Sequence, residues 1–402
     1  MRLDTPSATL PSAEGTGTAP AGAGRDIFIV CNSVHELGGI SSWLHRMADV
    51  FTARGHRVQA VGITPPHVPD GRTPVADYRL ETLYPEMITG PWQPRGVADR
   101  LDLRARRRES RRLEQREAAV ARLGELFAQA RPGAVVIVTQ IWAMEWVAEA
   151  DTSGVRVIGM SHESFAASAA SSRGQRVMRY YADADWVLAL TQKDADAWAK
   201  QGLHQVSAMP NALPLTPQSA APRTAKAVVA LGRLSHEKGY DQLLDAWALA
   251  APQAGGWTLR IFGDGVEAAP LRQQCAELGI AGSVDFAGRT GDVSAALRGG
   301  SVLAQPSRAE GFPLTLLEAM ANGVPCVAFD CAPGVREIIE DGVDGLVVRP
   351  GDVDAFARAL LSLVHDRDLR DRLGDRAFRS VRRYAPEAIA ERWERLFDFL
   401  DR

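Results

Sequence analysis

The residues best placed for chemistry lie in the run Pro306-Ser307-Arg308-Ala309-Glu310-Gly311-Phe312-Pro313-Leu314-Thr315-Leu316-Leu317-Glu318-Ala319-Met320. Glu310 falls in a loop, Pro313 suits the first turn of a helix, and Glu318 sits inside that helix. At a rise of about 1.5 Å per residue, Glu318 is about 7 Å along the axis from Pro313. Carboxylates accept hydrogen bonds from paired hydroxyls, and a nucleoside diphosphate-sugar spans about that length between its hexose and ribose hydroxyls. Free N–H groups near Leu314 and Thr315, at the positive end of the helix, would point at the phosphates between them. The plain alternative is a capped helix carrying an exposed glutamate.

A second loop, Leu231-Gly232-Arg233-Leu234-Ser235-His236-Glu237-Lys238-Gly239, releases two cations just before a helix. Together with the N–H groups of the helix start they would hold a diphosphate, which makes Arg233 and Lys238 candidate anchors. Surface loops also carry such cations without binding anything. In Phe262-Gly263-Asp264-Gly265, Gly263 follows a strand and lets a ligand approach the backbone, or it belongs to an ordinary tight turn. Asn322-Gly323-Val324-Pro325 reads as a turn into a buried strand, and the Pro- and Gly-bearing stretch from Asp330 to Val348 marks another strand end that can shape a pocket. His162, in Met160-Ser161-His162-Glu163, closes an apolar strand, where a lone histidine is usually structural.

Two Asp-x-Asp pairs, Asp183-Ala184-Asp185 and Asp194-Ala195-Asp196, have the spacing of a metal-binding pair. The first precedes a strand and the second lies on a helix, so both read as solvated or capping residues and no metal is expected. Cys31, Cys275, Cys326 and Cys331 match neither a zinc site nor a disulfide framework, which points to buried thiols in a reducing compartment. Arg95 to Arg116 is dense in arginine, including Arg104, Arg106, Arg107, Arg108, Arg111 and Arg112, interleaved with Glu109, Glu114 and Glu117. It reads as a helix with a positive face, suited either to an anionic membrane surface or polymer or simply to internal Glu–Arg pairing.

The elements that must position these residues follow a repeated grammar. Short apolar runs at 26–31, 56–62, 134–138, 155–160 and 186–190 alternate with helical patterns, one of them from Ser41 to Arg54 behind the Gly38-Gly39 turn. The grammar restarts at 227–231 and continues through 258–262, 284–286, 301–304 and 326–329, with a helix from Tyr240. Near-continuous apolar strands separated by helices predict parallel sheets covered on both faces, which bind ligands at the carboxyl ends of the strands. The chain thus reads as a tail over 1–24, a first Rossmann-like domain over 25–210, a linker over 211–225 and a second Rossmann-like domain over 226–385. The amphipathic helix over 386–402 would pack back on the first domain.

The 402 residues suit two domains, and 46% apolar with 24% charged residues is a globular composition. The net charge of −3 gives no general pull toward nucleic acid. No run reaches the roughly 18 apolar residues of a membrane span, and the first two dozen residues lack the apolar stretch of a secretory signal. The expected setting is cytoplasmic, at most peripheral on the inner membrane face.

The run from Glu310 to Glu318 resembles the E-x7-E motif of retaining glycosyltransferases of family 4, and the likeness extends over Gly232 to Lys238, Gly263 to Gly265 and on through Gly345. The first domain matches more loosely. The resemblance implies an α/β GT-B fold, in which two Rossmann-like doubly wound parallel-sheet domains face across a cleft. It further implies a nucleotide-sugar donor held by the second domain, an acceptor hydroxyl held by the first, and retention of anomeric configuration. By this resemblance Arg233 and Lys238 would bind the diphosphate, Glu318 the ribose and Glu310 the donor sugar near its 3-hydroxyl. The backbone of Gly311, Phe312, Pro313 and Leu314 would complete the sugar and phosphate contacts. Gly38 and Gly39 match the family's glycine-rich loop at the donor phosphate, and His162 matches its active-site histidine near the transferred sugar.

The reading is therefore a hexosyl or N-acetylhexosaminyl transferase using a UDP-sugar in cell-surface polysaccharide, teichoic-acid-like polymer or glycolipid assembly, with no metal cofactor. Decoration of a small natural product is the alternative within the class. An NAD-dependent enzyme is disfavoured because no Gly-x-Gly-x-x-Gly follows the first strand. A non-catalytic sugar-nucleotide-binding module would not need Glu310, Glu318 and His162 together.

Overall fold

The computed structural model describes residues 24–36, 38–69, 77–88, 102–215 and 219–402. The expected tail through residue 23 and the start of the arginine-rich segment, 95–101, lie outside them. The chain divides into two compact units, one holding residues up to Met209 together with Ala390–Arg402, the other Pro210–Ile389.

Unit 1 is built on seven parallel strands, β1 (Asp26–Cys31), β2 (Arg57–Gly62), β3 (Arg79–Thr82), β4 (Ala134–Val138), β5 (Val155–Ser161), β6 (Trp186–Ala189) and β7 (Val206–Ala208). Their spatial order is β3-β2-β1-β4-β5-β6-β7. The helices between them are α1 (Gly39–Ala53), α2 (Leu103–Ala128), α3 (Ile141–Val147), α4 (Phe165–Ala169), α5 (Ser172–Tyr180) and α6 (Gln192–Lys200). Because helices cover the sheet, the central strands carry apolar side chains in succession: Ile29, Val30, Ile137, Val138 and Ile158 are fully buried. Each such side chain contributes about 1.5–3 kcal/mol relative to exposure.

Unit 2 repeats the plan with β8 (Ala227–Leu231), α7 (Tyr240–Ala250), β9 (Thr258–Phe262), α8 (Ala268–Glu277), β10 (Val284–Gly288), α9 (Val293–Arg298) and β11 (Val302–Gln305). It continues through α10 (Leu314–Ala321), β12 (Cys326–Phe329), α11 (Pro333–Ile338), β13 (Leu346–Val348), α12 (Val353–His365) and α13 (Arg367–Ser380). The sheet order is β10-β9-β8-β11-β12-β13, all parallel. In each unit the first strand sends its successors to one side before the chain returns to the other, so the order reverses between β1 and β4 and again between β8 and β11. Loops leaving such a pair diverge and open a crevice at the carboxyl ends of the strands.

Three strands lie outside the runs read as strands from the sequence. β3 reads Arg-Leu-Glu-Thr, and β7 and β13 span three residues each, all at sheet edges where only one side is paired. The described residues of the stretch expected to be a linker are coil, and they are tied to unit 2. The Arg223 guanidinium bonds Asp371 at 2.9 Å, Asp375 at 2.7 Å and the Gly323 carbonyl at 2.9 Å, and the Ala221 N–H donates to the Asn322 carbonyl. A single buried arginine leaves no periodic trace, so the sequence pattern alone reads as loose.

The arginine-rich helix α2 starts at Leu103, where Asp102 Oδ1 accepts from the N–H groups of Arg104 and Ala105. The last helix, α14 (Pro386–Leu400), contributes its residues from Ala390 onward to unit 1. Trp393, Leu396 and Phe397 are fully buried there, with Trp393 6.1 Å from the Trp43 ring and 6.2 Å from Phe51.

Candidate active site

The loops after β8 and β11 flank the point where strand order reverses in unit 2, and they carry the residues singled out from sequence. After β8 the chain makes a single 3-10 turn, His236–Lys238, and leaves it through Gly239 at φ +67°. A Cβ on Gly239 would collide with the Pro306 carbonyl, so glycine here is what lets the two loops touch. Gly263, after β9 with φ +152°, lies against the Gly232 carbonyl with the same consequence, and Gly334 at the start of α11 lies against the Gly311 carbonyl.

Where the loops meet, Lys238 Nζ donates to Glu310 Oε1 at 2.7 Å, and the buried Ser307 hydroxyl donates to the same oxygen at 2.7 Å. Arg308 staples the loops from the other side. Its guanidinium bonds both Asp241 oxygens, at 2.7 and 2.5 Å, and the His236 carbonyl at 2.9 Å, while its own N–H donates to the Glu237 carbonyl. Cys331, after β12, borders this group: burial and then the nearby Glu310 charge push its thiol up to about 12. Arg233 is exposed and makes no ion pair among the described residues.

α10 follows directly. Pro313 is its N-cap residue and supplies no side-chain cap, so the first-turn N–H groups of Leu314 and Thr315 keep their donors free of helical partners. The Phe312 side chain is buried with its ring 5.5 Å from Tyr384, which leaves only its backbone for a ligand. Glu318 lies one turn into the helix, half-buried, with no hydrogen bond or ion pair on its carboxylate among the described residues. Burial pushes that carboxyl up to about 7. The group as a whole offers a cation pair, an uncapped helix start and two carboxylates to a ligand with phosphates and hydroxyls.

His162, Gly38 and Gly39 belong to unit 1. Gly38 and Gly39 form the exposed start of the 15-residue α1, which has no side-chain cap, and a Cβ on Gly38 would meet nothing within 4 Å. His162 follows β5 with its ring 5.4 Å from Trp43, edge to face, and its buried Nε2 has no hydrogen-bond partner among the described residues. Burial lowers the imidazole to about 4, so it is neutral at physiological pH.

Three of the four Asp-x-Asp carboxylates have structural partners among the described residues, Asp196 accepting from Gln192. Asp185 accepts from Arg156 and the Val157 N–H, and Asp194 accepts from the Phe165 N–H and the Thr191 hydroxyl. Among the described residues no cluster of three or more His, Cys, Asp or Glu is arranged to hold a metal ion. All four cysteines are free thiols. Ser307, Arg308 and Asp241 escaped the sequence reading of the site. Arg308 and Ser307 sit inside the quoted run; Ser307 meets Glu310 three residues on, but the partners of Arg308 become its neighbours only when β8 and β11 pair.

The pattern of the family described as Glycosyl transferases group 1 matches residues 215–380. An exopolysaccharide phosphotransferase of Streptomyces coelicolor is 35% identical over 255 residues, which is 62% of this chain and 27% of that protein. The amylovoran biosynthesis glycosyltransferase AmsD of Erwinia amylovora is 32% identical over 246 residues, covering 59% of this chain and 69% of that protein. Among solved structures, a complex of S. aureus TarM with fondaparinux, alpha-GlcNAc-glycerol and UDP superposes with a TM-score of 0.73. It covers 93% of this chain and all of that one at 14% identity, a likeness of fold alone. The two parallel-sheet Rossmann-like domains expected of a GT-B chain are thus present, and with AmsD as a relative over most of its length the chain belongs to the group 1 glycosyltransferase family.

Proposed function

We propose that this protein is a retaining glycosyltransferase that moves a hexosyl or N-acetylhexosaminyl group from a UDP-sugar to an acceptor hydroxyl in the assembly of a cell-surface polysaccharide, teichoic-acid-like polymer or glycolipid. The observation that carries the reading is the Lys238–Glu310 contact of 2.7 Å beside the uncapped start of α10. An anion entering there would draw Lys238 away from Glu310, leaving the carboxylate to accept hydrogen bonds from donor-sugar hydroxyls. Arg233, Lys238 and the N–H groups of Leu314 and Thr315 would bind the diphosphate, and Glu318 the ribose. Gly263, Gly311, Phe312 and Pro313 would contribute backbone surface alone, and Gly38 and Gly39 an exposed, side-chain-free helix start. His162, neutral, would hydrogen-bond the transferred sugar.

In this mechanism the bond between the anomeric carbon and the diphosphate oxygen breaks as negative charge builds on the departing UDP. Positioned cations and N–H groups stabilise that charge with no metal taking part. The acceptor oxygen attacks from the face the UDP leaves and passes its proton to the leaving phosphate. The TarM complex, holding UDP with an alpha-linked GlcNAc-glycerol, supports UDP as the nucleotide and retention as the outcome.

A panel of nucleotide sugars incubated with the enzyme without acceptor tests the reading. One UDP-sugar should be hydrolysed slowly with the α-anomer appearing first by NMR, in buffer containing a chelator. A β-anomer first, or no turnover without a divalent ion, would overturn retention or metal independence in turn. No helix among the described residues is long and apolar enough to cross a membrane. Arg104, Arg106, Arg107 and Arg111 on α2 are exposed and form no ion pair among the described residues, and Arg108 is exposed near Asp102; with the exposed Leu103 beside them, this favours docking on an anionic lipid surface. Sedimentation with anionic but not neutral vesicles is expected, and equal binding to both would remove that role.

A further inference from the structure

The loop from Glu310 to Pro313 is backed at two points by other parts of unit 2. Gly334, in the first turn of α11, lies so close to the Gly311 carbonyl that a Cβ there would collide with it. The buried Phe312 ring meets the buried Tyr384 ring edge to face at 5.5 Å. Both backing points belong to one group. Tyr384 ends the 3-10 turn Val381–Tyr384, and its hydroxyl donates to the Glu337 carbonyl of α11 at 2.6 Å. The Arg383 guanidinium donates to the Ile338 carbonyl at 2.7 Å. Carbonyls in the last turn of a helix lack helical partners, so these two side chains cap α11 and fix it to Tyr384.

Tyr384 also sits close to where the chain passes from one unit to the other. The passages fall at Met209–Pro210 and Ile389–Ala390. Leu213, buried just inside unit 2, donates its N–H to the Tyr384 carbonyl at 2.8 Å. The two connecting segments are thus tied together at the residue whose ring backs Phe312.

We infer that Tyr384 is a positioning residue for the nucleotide-sugar: its ring, through Phe312, sets the backbone of residues 310–314, and its carbonyl, through Leu213, ties that loop to both connecting segments. The inference rests on the proposed donor site and adds a residue outside the motif that shapes it.

Packing gives the contact its leverage. Pro313 and the free N–H groups of Leu314 and Thr315 follow Phe312 directly, so a ring displaced in a close-packed core carries them with it. Coupling between two sites is reciprocal, so a ligand that fixes this loop must also hold the Leu213 N–H more firmly on Tyr384. Exchange of that amide with solvent requires the bond to Tyr384 to open, and it therefore reports the coupling. A core aromatic that only filled space would change stability and leave this link untouched.

The test uses the full-length protein and measures hydrogen exchange of the peptide containing Leu213, UDP affinity by calorimetry and the melting temperature. Saturating UDP should slow that exchange about tenfold in the wild type, within the usual range of coupling between sites. Tyr384→Phe keeps the ring on Phe312 and should hold UDP affinity within about threefold, whereas Tyr384→Leu should weaken it about tenfold. Phe312→Leu reaches the same contact from the other side and serves if Tyr384→Leu does not fold. At UDP concentrations that saturate it, Phe312→Leu should lose the slowing at Leu213, and the double variant should bind UDP no more weakly than the weaker single one. The inference fails if UDP binds the wild type without slowing Leu213, if the slowing persists in saturated Phe312→Leu, or if a folded Tyr384→Leu binds UDP as the wild type does. A wild type that binds no UDP at all would instead overturn the donor reading.

Discussion

Glu318 shows how one side chain ties stability to ligand binding. Its carboxyl is raised to about 7 by burial, against about 4.3 for an unfolded chain. A raised carboxyl pKa means the folded state holds its proton longer, so the stabilisation is complete below about pH 4 and is lost as pH rises through 7. Relative to Glu318→Gln, the wild-type melting temperature should therefore fall between pH 5 and 8, and parallel curves would show that Glu318 titrates normally. If the ionised form accepts the ribose hydroxyls, UDP affinity should rise over the same interval and stay flat in Glu318→Gln. Lys238 belongs to the same scale. Lys238→Ala should lower turnover by about 10²–10³ with the fold intact, the magnitude typical of removing one group that stabilises developing charge. Near-normal turnover by a folded variant would remove Lys238 from the mechanism.

At the scale of elements, the site depends on two loops held together after β8 and β11. Arg308 reaches Asp241 and two backbone carbonyls of the other loop, and its exposure makes the ion pair itself worth only about 1 kcal/mol. Its larger effect is to keep Lys238 opposite Glu310. Arg308→Ala should move the melting temperature by a few degrees yet weaken UDP binding about tenfold; equal small effects on both would make it a surface pair only. The arginine was in plain view in the sequence, but its function depends on Asp241, which is 67 positions away. The two carboxylates and the helix between them were legible because they lie within one continuous run. β3, β7 and β13 were not: β3 has no apolar run, and β7 and β13, the latter apolar throughout, span only three residues each, too few for a pattern to separate strand from loop.

Across each whole unit, the decisive contacts join distant parts of the chain. Arg54 holds Glu394 through two bonds of 2.7 and 2.6 Å, and Trp393 fills the space against Trp43 and Phe51. Since Trp43 also lies against His162, the last helix supports the His162 ring through Trp43. Trp393→Ala should cost about 3–5 kcal/mol, read by denaturant unfolding, as expected for emptying a fully buried indole site. A change below 1 kcal/mol would mean that α14 is dispensable to unit 1.

The amphipathic pattern of 386–400 and the alternation of apolar strands with helices were set by local physics, because side-chain periodicity and strand propensity act within a few residues. The same holds for the carboxylates and cations of unit 2 that are proposed to bind the donor. Tertiary structure alone decided which of them touch. The Lys238–Glu310 pair and the Arg308 staple arise where parallel strands far apart in sequence become neighbours, and Arg223 is anchored where its coil meets the distant helix α13. Nothing in a linear run records that pairing, because its free energy comes from burying the sheet rather than from any local preference.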